Sequence, residues 1–357
     1  MVSWSEFKSP GICKFGDIVN EYAALADGPG LVNRNHRGLI EITGKDRLAW
    51  LHNLTTNQVK SLSPGDGNYA FVLNIKGRIL FDLNILVQRD SLWLDLDRSF
   101  LPVALAHLNK YVIMEDVRIK DQSDEFFRLG LSGDGAGALG ERFGASNVRN
   151  LAQLGRASFR VGDIDVALFR DDFCGPFGVE FLVPLEAAEQ VWAALTNTSC
   201  VPSALPVGVE AVEIRRIEAG IPAPGAEITD EALPAETGQM PRAVSFNKGC
   251  YLGQEVVERM RARHVVARQL VGLVLEGNRA MQPGAEIVGA DEKPVGKVTS
   301  SCHSIALDLP IALGYVRTAS STPGTPLRVA VDSTFAPVTV VSLPFSGAKI
   351  TEAHHAS

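Results

Sequence analysis

KGCYLGQE, Lys248 to Glu255, is the stretch on which the reading of this chain turns. It sets a cysteine, a lysine and two glycines in the approach to a helix. The segment before it, Gly220 to Val244, is rich in Pro and Gly, and Glu255 to Arg263 has the spacing of a short amphipathic helix ending in arginines. A helix N-terminus presents unpaired backbone N–H groups and partial positive charge, which favours an anion or lowers the pKa of a thiol beside it. Cys250 is therefore a candidate reactive thiol, although a free cysteine taken alone is more often buried and structural.

Working outward, Arg242 to Arg268 holds Arg242, Lys248, Arg259, Arg261, Arg263 and Arg268 against Glu255 and Glu258, a local charge of +4 in a chain whose formal charge is −7. The overall sign argues against whole-surface attraction to nucleic acid or anionic membrane. The 357 residues, 46% hydrophobic and 21% charged, suit a soluble globular protein of two or three domains. The five cysteines, Cys13, Cys174, Cys200, Cys250 and Cys302, are isolated in sequence, so neither a disulfide framework nor a zinc site is expected. The first twenty residues include Glu6, Lys8, Pro10 and Asp17 and lack the apolar core of a signal peptide or membrane span. A reducing cytoplasm is the expected compartment.

Alternating patterns predict an α+β fold. Leu39 to Thr43, Tyr69 to Leu73, Arg78 to Gln88 and Leu92 to Leu96 read as strands, and Lys45 to His52 and Ser99 to Val112 as helices. In Arg78 to Gln88 the odd residues Ile79, Phe81, Leu83, Ile85 and Val87 form a core face, leaving Asp82 and Asn84 on a mixed face. A second unit carries strands at Phe126 to Leu131, Ala157 to Val161, Ile164 to Phe169 and Gly178 to Val183, then a helix at Leu185 to Leu195. Gly208 to Ala219 is a further helix, and beyond Arg268 short β runs predict a small all-β domain. The expected boundaries are 1–116, 117–204, 205–267, 268–345 and a tail over 346–357.

GAGALG, Gly135 to Gly140, matches a dinucleotide fingerprint, but an antiparallel hairpin follows where a parallel βαβ unit with an acidic residue is required. It reads as close packing. His36, His52, His107, His264 and His303 stand singly, and no GxSxG or HExxH occurs. Asp82 and Glu180, each opposite an apolar stripe, read alone as solvated carboxylates on half-buried sheets or as the wall of a cavity.

KGCYLGQE, RRIEAGIP at Arg215 to Pro222, PAETG at Pro234 to Gly238, LHNLTTNQV at Leu51 to Val59, NIKGRILFDL at Asn74 to Leu83 and GVEFLVP at Gly178 to Pro184 together resemble the YgfZ-type folate-binding proteins, relatives of the glycine-cleavage T protein, an aminomethyltransferase. The resemblance extends to ALGYV at Ala312 to Val316. It implies a three-domain cloverleaf of GcvT type: two α+β domains around a central channel for tetrahydrofolate, plus a C-terminal β-barrel. It also implies that Asp82 meets the reactive part of the folate and that Glu180 holds the pterin. One carboxylate can accept a pterin's ring N–H and exocyclic amine as a pair. Lys248, Tyr251 and Arg259 are further folate-binding candidates, and Asp82 and Cys250 the catalytic ones; no metal ligand is implied.

Two departures from the T protein matter. Its hairpin usually carries paired aspartates where this chain has Phe81 and Asp82, and its octapeptide lacks the cysteine. Both place the expectation in the YgfZ-type branch: a monomeric, cytoplasmic tetrahydrofolate-binding protein that supports iron–sulfur cluster assembly or repair, including that of radical enzymes that modify tRNA. Its partners would be folate and those client enzymes, with no direct nucleic-acid or membrane contact. The alternative is a folate-dependent aminomethyltransferase or demethylase that moves a one-carbon unit to tetrahydrofolate.

Overall fold

The computed structural model describes residues 2–145, 147–175, 177–199, 202–263 and 266–347. Cys200, His264 and the expected tail beyond residue 347 lie outside the described residues. The chain divides into two compact units, one of Met1–Ile75, Leu80–Val212 and Pro241–Leu252, the other of Lys76–Ile79, Glu213–Met240 and Gly253–Ser357.

The first unit is built on two sheets. In the five-stranded sheet the order is Gly67–Leu73, Ile79–Val87, Ser91–Asp97, Arg37–Thr43 and Arg118–Asp121. Period-two alternation decides its faces. Phe81, Leu83, Ile85 and Val87 join Ile40, Ile42, Leu92 and Leu94 in a core closed by helices Arg47–Leu54 and Leu101–Lys110. Burying each such side chain contributes about 1.5–3 kcal/mol. The helix expected from Ser99 begins as a 3-10 turn, Arg98–Phe100, because the Asp97 carboxylate accepts from the Ser99 N–H; Pro102 then sits in the first α turn. On the other face of Ile79–Val87, Asp82 and Asn84 are buried, so neither is the solvated side chain of the plainer reading.

The six-stranded sheet runs Leu205–Val207, Gly30–Asn33, Phe126–Ser132, Gly178–Pro184, Ile164–Arg170 and Arg156–Val161. Phe127, Leu129 and Leu131 share a core with Val179, Phe181 and Val183, which turns Arg128, Gly130 and Glu180 to the opposite face. The strand before GAGALG pairs antiparallel with both neighbours, so that glycine run lacks the parallel unit of a dinucleotide site. Its glycines serve packing: a Cβ on Gly137 would lie 2.5 Å from the Arg149 side chain. Strands Gly30–Asn33, Arg118–Asp121 and Leu205–Val207 and helices Trp4–Phe7 and Ile18–Ala24 were not anticipated; all but the last are four residues or fewer, too short to show a period.

In the second unit, Arg268–Leu275, Leu309–Arg317, Pro294–Ser304, Glu286–Val288, Pro326–Val331 and Thr334–Val341 close into the expected barrel, which leaves no free sheet edge. Leu273, Ile287, Val316, Val329 and Val340 fill it. Gly77 belongs to this unit with φ +73°, and a Cβ there would meet Val256 at 2.7 Å, so glycine is required on both counts. No helix among the described residues is long and apolar enough to cross a membrane.

Candidate functional site

The inward polar faces of the two sheets in the first unit assemble a charged cluster. Arg128, on Phe126–Ser132, donates through Nη2 to Asp95 Oδ1 at 2.8 Å on the five-stranded sheet and to Glu180 Oε2 on its own sheet. It is the pin between the sheets. Arg37 forms a bidentate pair with Asp95, Nε to Oδ1 at 3.2 Å and Nη2 to Oδ2 at 2.6 Å, and Asn84 Nδ2 adds a bond to Oδ2 at 2.8 Å. Burial alone would raise the Asp95 pKa, but Arg37 and Arg128 hold it well below the ordinary carboxylate value.

Glu180 is fully enclosed. Arg34 donates to its Oε1 through Nε at 2.7 Å, with Nη2 2.6 Å from the same oxygen. The paired N–H donors expected from a pterin are thus supplied here by a guanidinium. Gly130, directly opposite Glu180 in the ladder, makes room for this, since a Cβ there would lie 3.0 Å from Arg34 Cγ and from the Phe173 ring. The Arg34 guanidinium rests 4.3 Å above that ring, and its Nη2 also lies 3.6 Å from Asp171. Burial, with the charge of Glu180, pushes Asp171 up to about 6, against the pull of Arg34.

Asp82 accepts from the Tyr69 hydroxyl at Oδ2, 2.8 Å away. Burial raises its pKa, and Arg37, the Tyr69 hydrogen bond and Arg242 draw it partly back. Arg37 feels the charges of Asp95, Glu180 and Asp82 together, so the two carboxylates singled out from sequence share one cationic neighbour. Arg242, first of the basic run, stacks 4.0 Å over the Tyr69 ring. Four carboxylates, Asp82, Asp95, Asp171 and Glu180, therefore face three buried or half-buried guanidiniums, Arg34, Arg37 and Arg128. The two acids with raised pKa values, Asp82 and Asp171, lack a close bidentate arginine, and a carboxyl whose pKa is raised is suited to taking up a proton in passing.

The remaining candidates lie elsewhere. Lys248, expected to meet folate, donates through its ammonium to the carbonyls of His52 at 2.5 Å, Asn57 at 2.9 Å and Thr55. An ammonium has three donors, so none is left for a ligand. It caps the C-terminal end of helix Arg47–Leu54, where a cation is favoured. Burial and the neighbouring Lys60 push its pKa down to about 7. Tyr251 is buried, with the Lys248 ammonium 5.0 Å from its ring. Cys250 is exposed rather than structural. It belongs to the first unit, whereas the helix Gln254–Arg263 and the exposed Arg259 belong to the second. The rest of the basic run is partly neutralised, Arg261 by Glu258 at 3.4 Å and Arg268 by Glu236 at 3.1 Å. Among the described residues, no group of three or more His, Cys, Asp or Glu is placed to hold a metal ion.

Sequence reading missed Tyr69, Arg34, Arg37, Asp95 and Arg128. A charge flanked by apolar residues inside a strand is the available signal, as in FFRLGLS for Arg128 and SLWLDLD for Asp95.

The GCVT N-terminal domain model matches residues 3–248, and the glycine cleavage T-protein C-terminal barrel model matches residues 268–346. A protein of Streptomyces avermitilis named aminomethyltransferase is 28% identical over 337 residues, covering 93% of this chain and 90% of its own. Another so named from Chlorobium chlorochromatii is 28% identical over 335 residues, covering 93% and 91%. The solved glycine cleavage system aminomethyltransferase T of Bartonella henselae superposes with a TM-score of 0.84 at 22% identity, covering 94% of each chain, which bears on the fold alone. These similarities support the wider family and do not single out its YgfZ-type branch. With a family N-terminal domain and a family C-terminal barrel together spanning nearly its whole length, the chain belongs to the glycine-cleavage T-protein (GCVT) family.

Proposed function

We propose that this protein is a folate-dependent aminomethyltransferase that moves a one-carbon unit from an aminomethyl donor to tetrahydrofolate, with Asp82 at the reacting centre. What carries the reading is the placement of Asp82: a buried carboxylate of raised pKa, oriented by the Tyr69 hydroxyl, in a chain whose curated relatives bear the name aminomethyltransferase along more than nine-tenths of its length. Tetrahydrofolate supplies two secondary nitrogens that end bridged by the transferred methylene, their protons leaving with the released ammonia and the donor atom, with no net redox change.

The chain's own residues have definable parts in this reading. Asp82 accepts an N–H or stabilises a developing cation through the oxygen that Tyr69 does not engage, and its raised pKa suits it to hold a proton in passing. Arg37 and Arg242 set the potential at that carboxylate. Glu180 receives the pterin's paired donors only once Arg34 yields its place, and Asp171 is at hand as an alternative partner for the displaced guanidinium. Arg242, over Tyr69, is a favourable neighbour for folate carboxylates.

The test is the purified protein with tetrahydrofolate and an S-aminomethyl thioether, following methylene-tetrahydrofolate. Turnover that falls by about a hundredfold or more in Asp82→Asn, with folate affinity measured separately by calorimetry, is the expected result. Absence of product from a protein that binds folate would overturn it.

One observation favours a second reading. Cys250 is exposed within KGCYLGQE, as a thiol serving iron–sulfur client enzymes would need to be. In that case Cys250→Ala impairs cluster-dependent enzymes in cells while folate affinity is unchanged, and wild-type activity of those enzymes in the variant would eliminate it.

A further inference from the structure

The barrel of the second unit carries a cavity of about 570 Å³ that none of the readings above uses. Its charged lining is Arg268, Lys297, Arg317 and Glu231, three cations against one carboxylate, in a chain of net charge −7. The register explains how they converge. Arg268 and Arg317 are directly opposite across an antiparallel ladder, and Lys297 is opposite Tyr315, two residues from Arg317, so all three cations project from one face around that ring. Like charges directly opposite are destabilising, and Glu236, 3.1 Å from Arg268, relieves that residue while Lys297 and Arg317 are left without a counter-charge.

The floor is fixed in advance. The Tyr315 hydroxyl donates to the Glu227 carbonyl at 2.9 Å, and the Arg268 guanidinium lies 4.6 Å over the Tyr315 ring while donating to Glu236 at 3.1 Å and to the Glu231 carbonyl at 3.0 Å. Lys297 and Arg317 differ from it: both are exposed, and among the described residues no hydrogen bond or ion pair engages either side chain. A preorganised arginine beside two cations without partners is an anion receptor in form.

We infer that this cavity binds a phosphate monoester, with Lys297 and Arg317 gripping the phosphoryl oxygens beside Arg268. Charge selects the class. Lys297 and Arg317 are two cations without partners beside an Arg268 whose own charge Glu236 already meets, and a phosphate monoester carries about −1.5 to −2 near neutral pH on three acceptor oxygens, whereas a single carboxylate carries half of that on two. Size selects an organic body as well. The volume lies in the range of small-molecule sites, and Ala226, Pro294, Val295 and Val298 supply apolar wall for a carbon skeleton. This site is independent of the one-carbon reading, since every residue lining it belongs to the second unit.

The experiment is calorimetric titration of the full chain at constant ionic strength with inorganic phosphate, ribose 5-phosphate and tricarballylate. Saturable 1:1 binding is expected for both phosphates, tighter for ribose 5-phosphate, and weakened roughly tenfold or more in the double variant Lys297→Gln, Arg317→Gln. Thermal unfolding keeps the variant interpretable, because removing one of two opposed arginines should leave its midpoint unchanged or higher. Inorganic phosphate binding as tightly as the sugar phosphate would discard the organic body and with it the monoester. Equal affinity for tricarballylate, undiminished binding by a folded variant, or no saturable phosphate binding by the wild type would each overturn the inference.

Discussion

Arg34 reaches across 146 residues of sequence to donate to Glu180 Oε1 from Nε at 2.7 Å, and the glycine opposite Glu180 in the ladder, Gly130, is what lets its stem pass. A fully enclosed carboxylate engaged by two arginines is a costly arrangement to break and a modest one to replace, because the penalty lies in stranding one buried charge. Arg34→Met should therefore destabilise by about 3 kcal/mol or more, as should Glu180→Gln, and the double variant should cost less than their sum. Urea unfolding of the four proteins gives the coupling. Strict additivity would mean the pair contributes nothing in solution.

Asp171 provides a pH signature. Its folded pKa is raised to about 6, chiefly by burial and by Glu180, above the ordinary carboxylate value near 4. Between those values the folded state holds a proton that the unfolded chain has released, so stability falls as pH rises through roughly 4 to 6, by on the order of 2 kcal/mol. Asp171→Asn should flatten that segment of the stability curve. An unchanged slope in the variant would assign the titration to another group.

Some of this was open to inspection in the chain and some was not. The alternation in Ile79–Val87 placed Phe81, Leu83 and Ile85 in the core and left Asp82 facing the other way, because strand periodicity is a local property. The valines and Phe181 flanking Glu180 did the same. What sequence did not reveal was the counter-charges. Arg34 meets Glu180 and Arg128 meets Asp95 through sheet pairing and sheet stacking, 146 and 33 residues apart, and no local pattern encodes either distance. The same holds for the partners of Lys248. Its position in a recognisable octapeptide suggested a ligand contact, whereas its ammonium closes the end of a helix almost two hundred residues earlier.

That structural post gives Lys248 a distinct expectation. Lys248→Met leaves the carbonyls of His52, Thr55 and Asn57 without their shared donor and should cost about 2–4 kcal/mol, with the loss localised by hydrogen exchange to the end of helix Arg47–Leu54. Folate affinity of the folded fraction should be nearly unaffected. A large loss of affinity at preserved stability would instead return Lys248 to the binding site.

Tyr69 separates orientation from bulk packing at the proposed reacting centre. Its hydroxyl is 2.8 Å from Asp82 Oδ2, and that bond favours the ionised carboxylate against the burial that raises its pKa. Tyr69→Phe keeps the ring beneath Arg242 and removes only the donor, at a stability cost of about 1 kcal/mol. Asp82 should then titrate higher still. If one-carbon transfer needs the carboxylate ionised, the acid limb of the pH–rate profile moves to higher pH in the variant, while the rate at high pH falls only by the loss of orientation. If it needs the acid protonated, the alkaline limb moves up instead, widening the active range. A profile whose limbs both stay in place while the rate merely drops would mean that Asp82 is not the group whose ionisation the reaction senses, and the role assigned to it would have to pass to another carboxylate of the cluster.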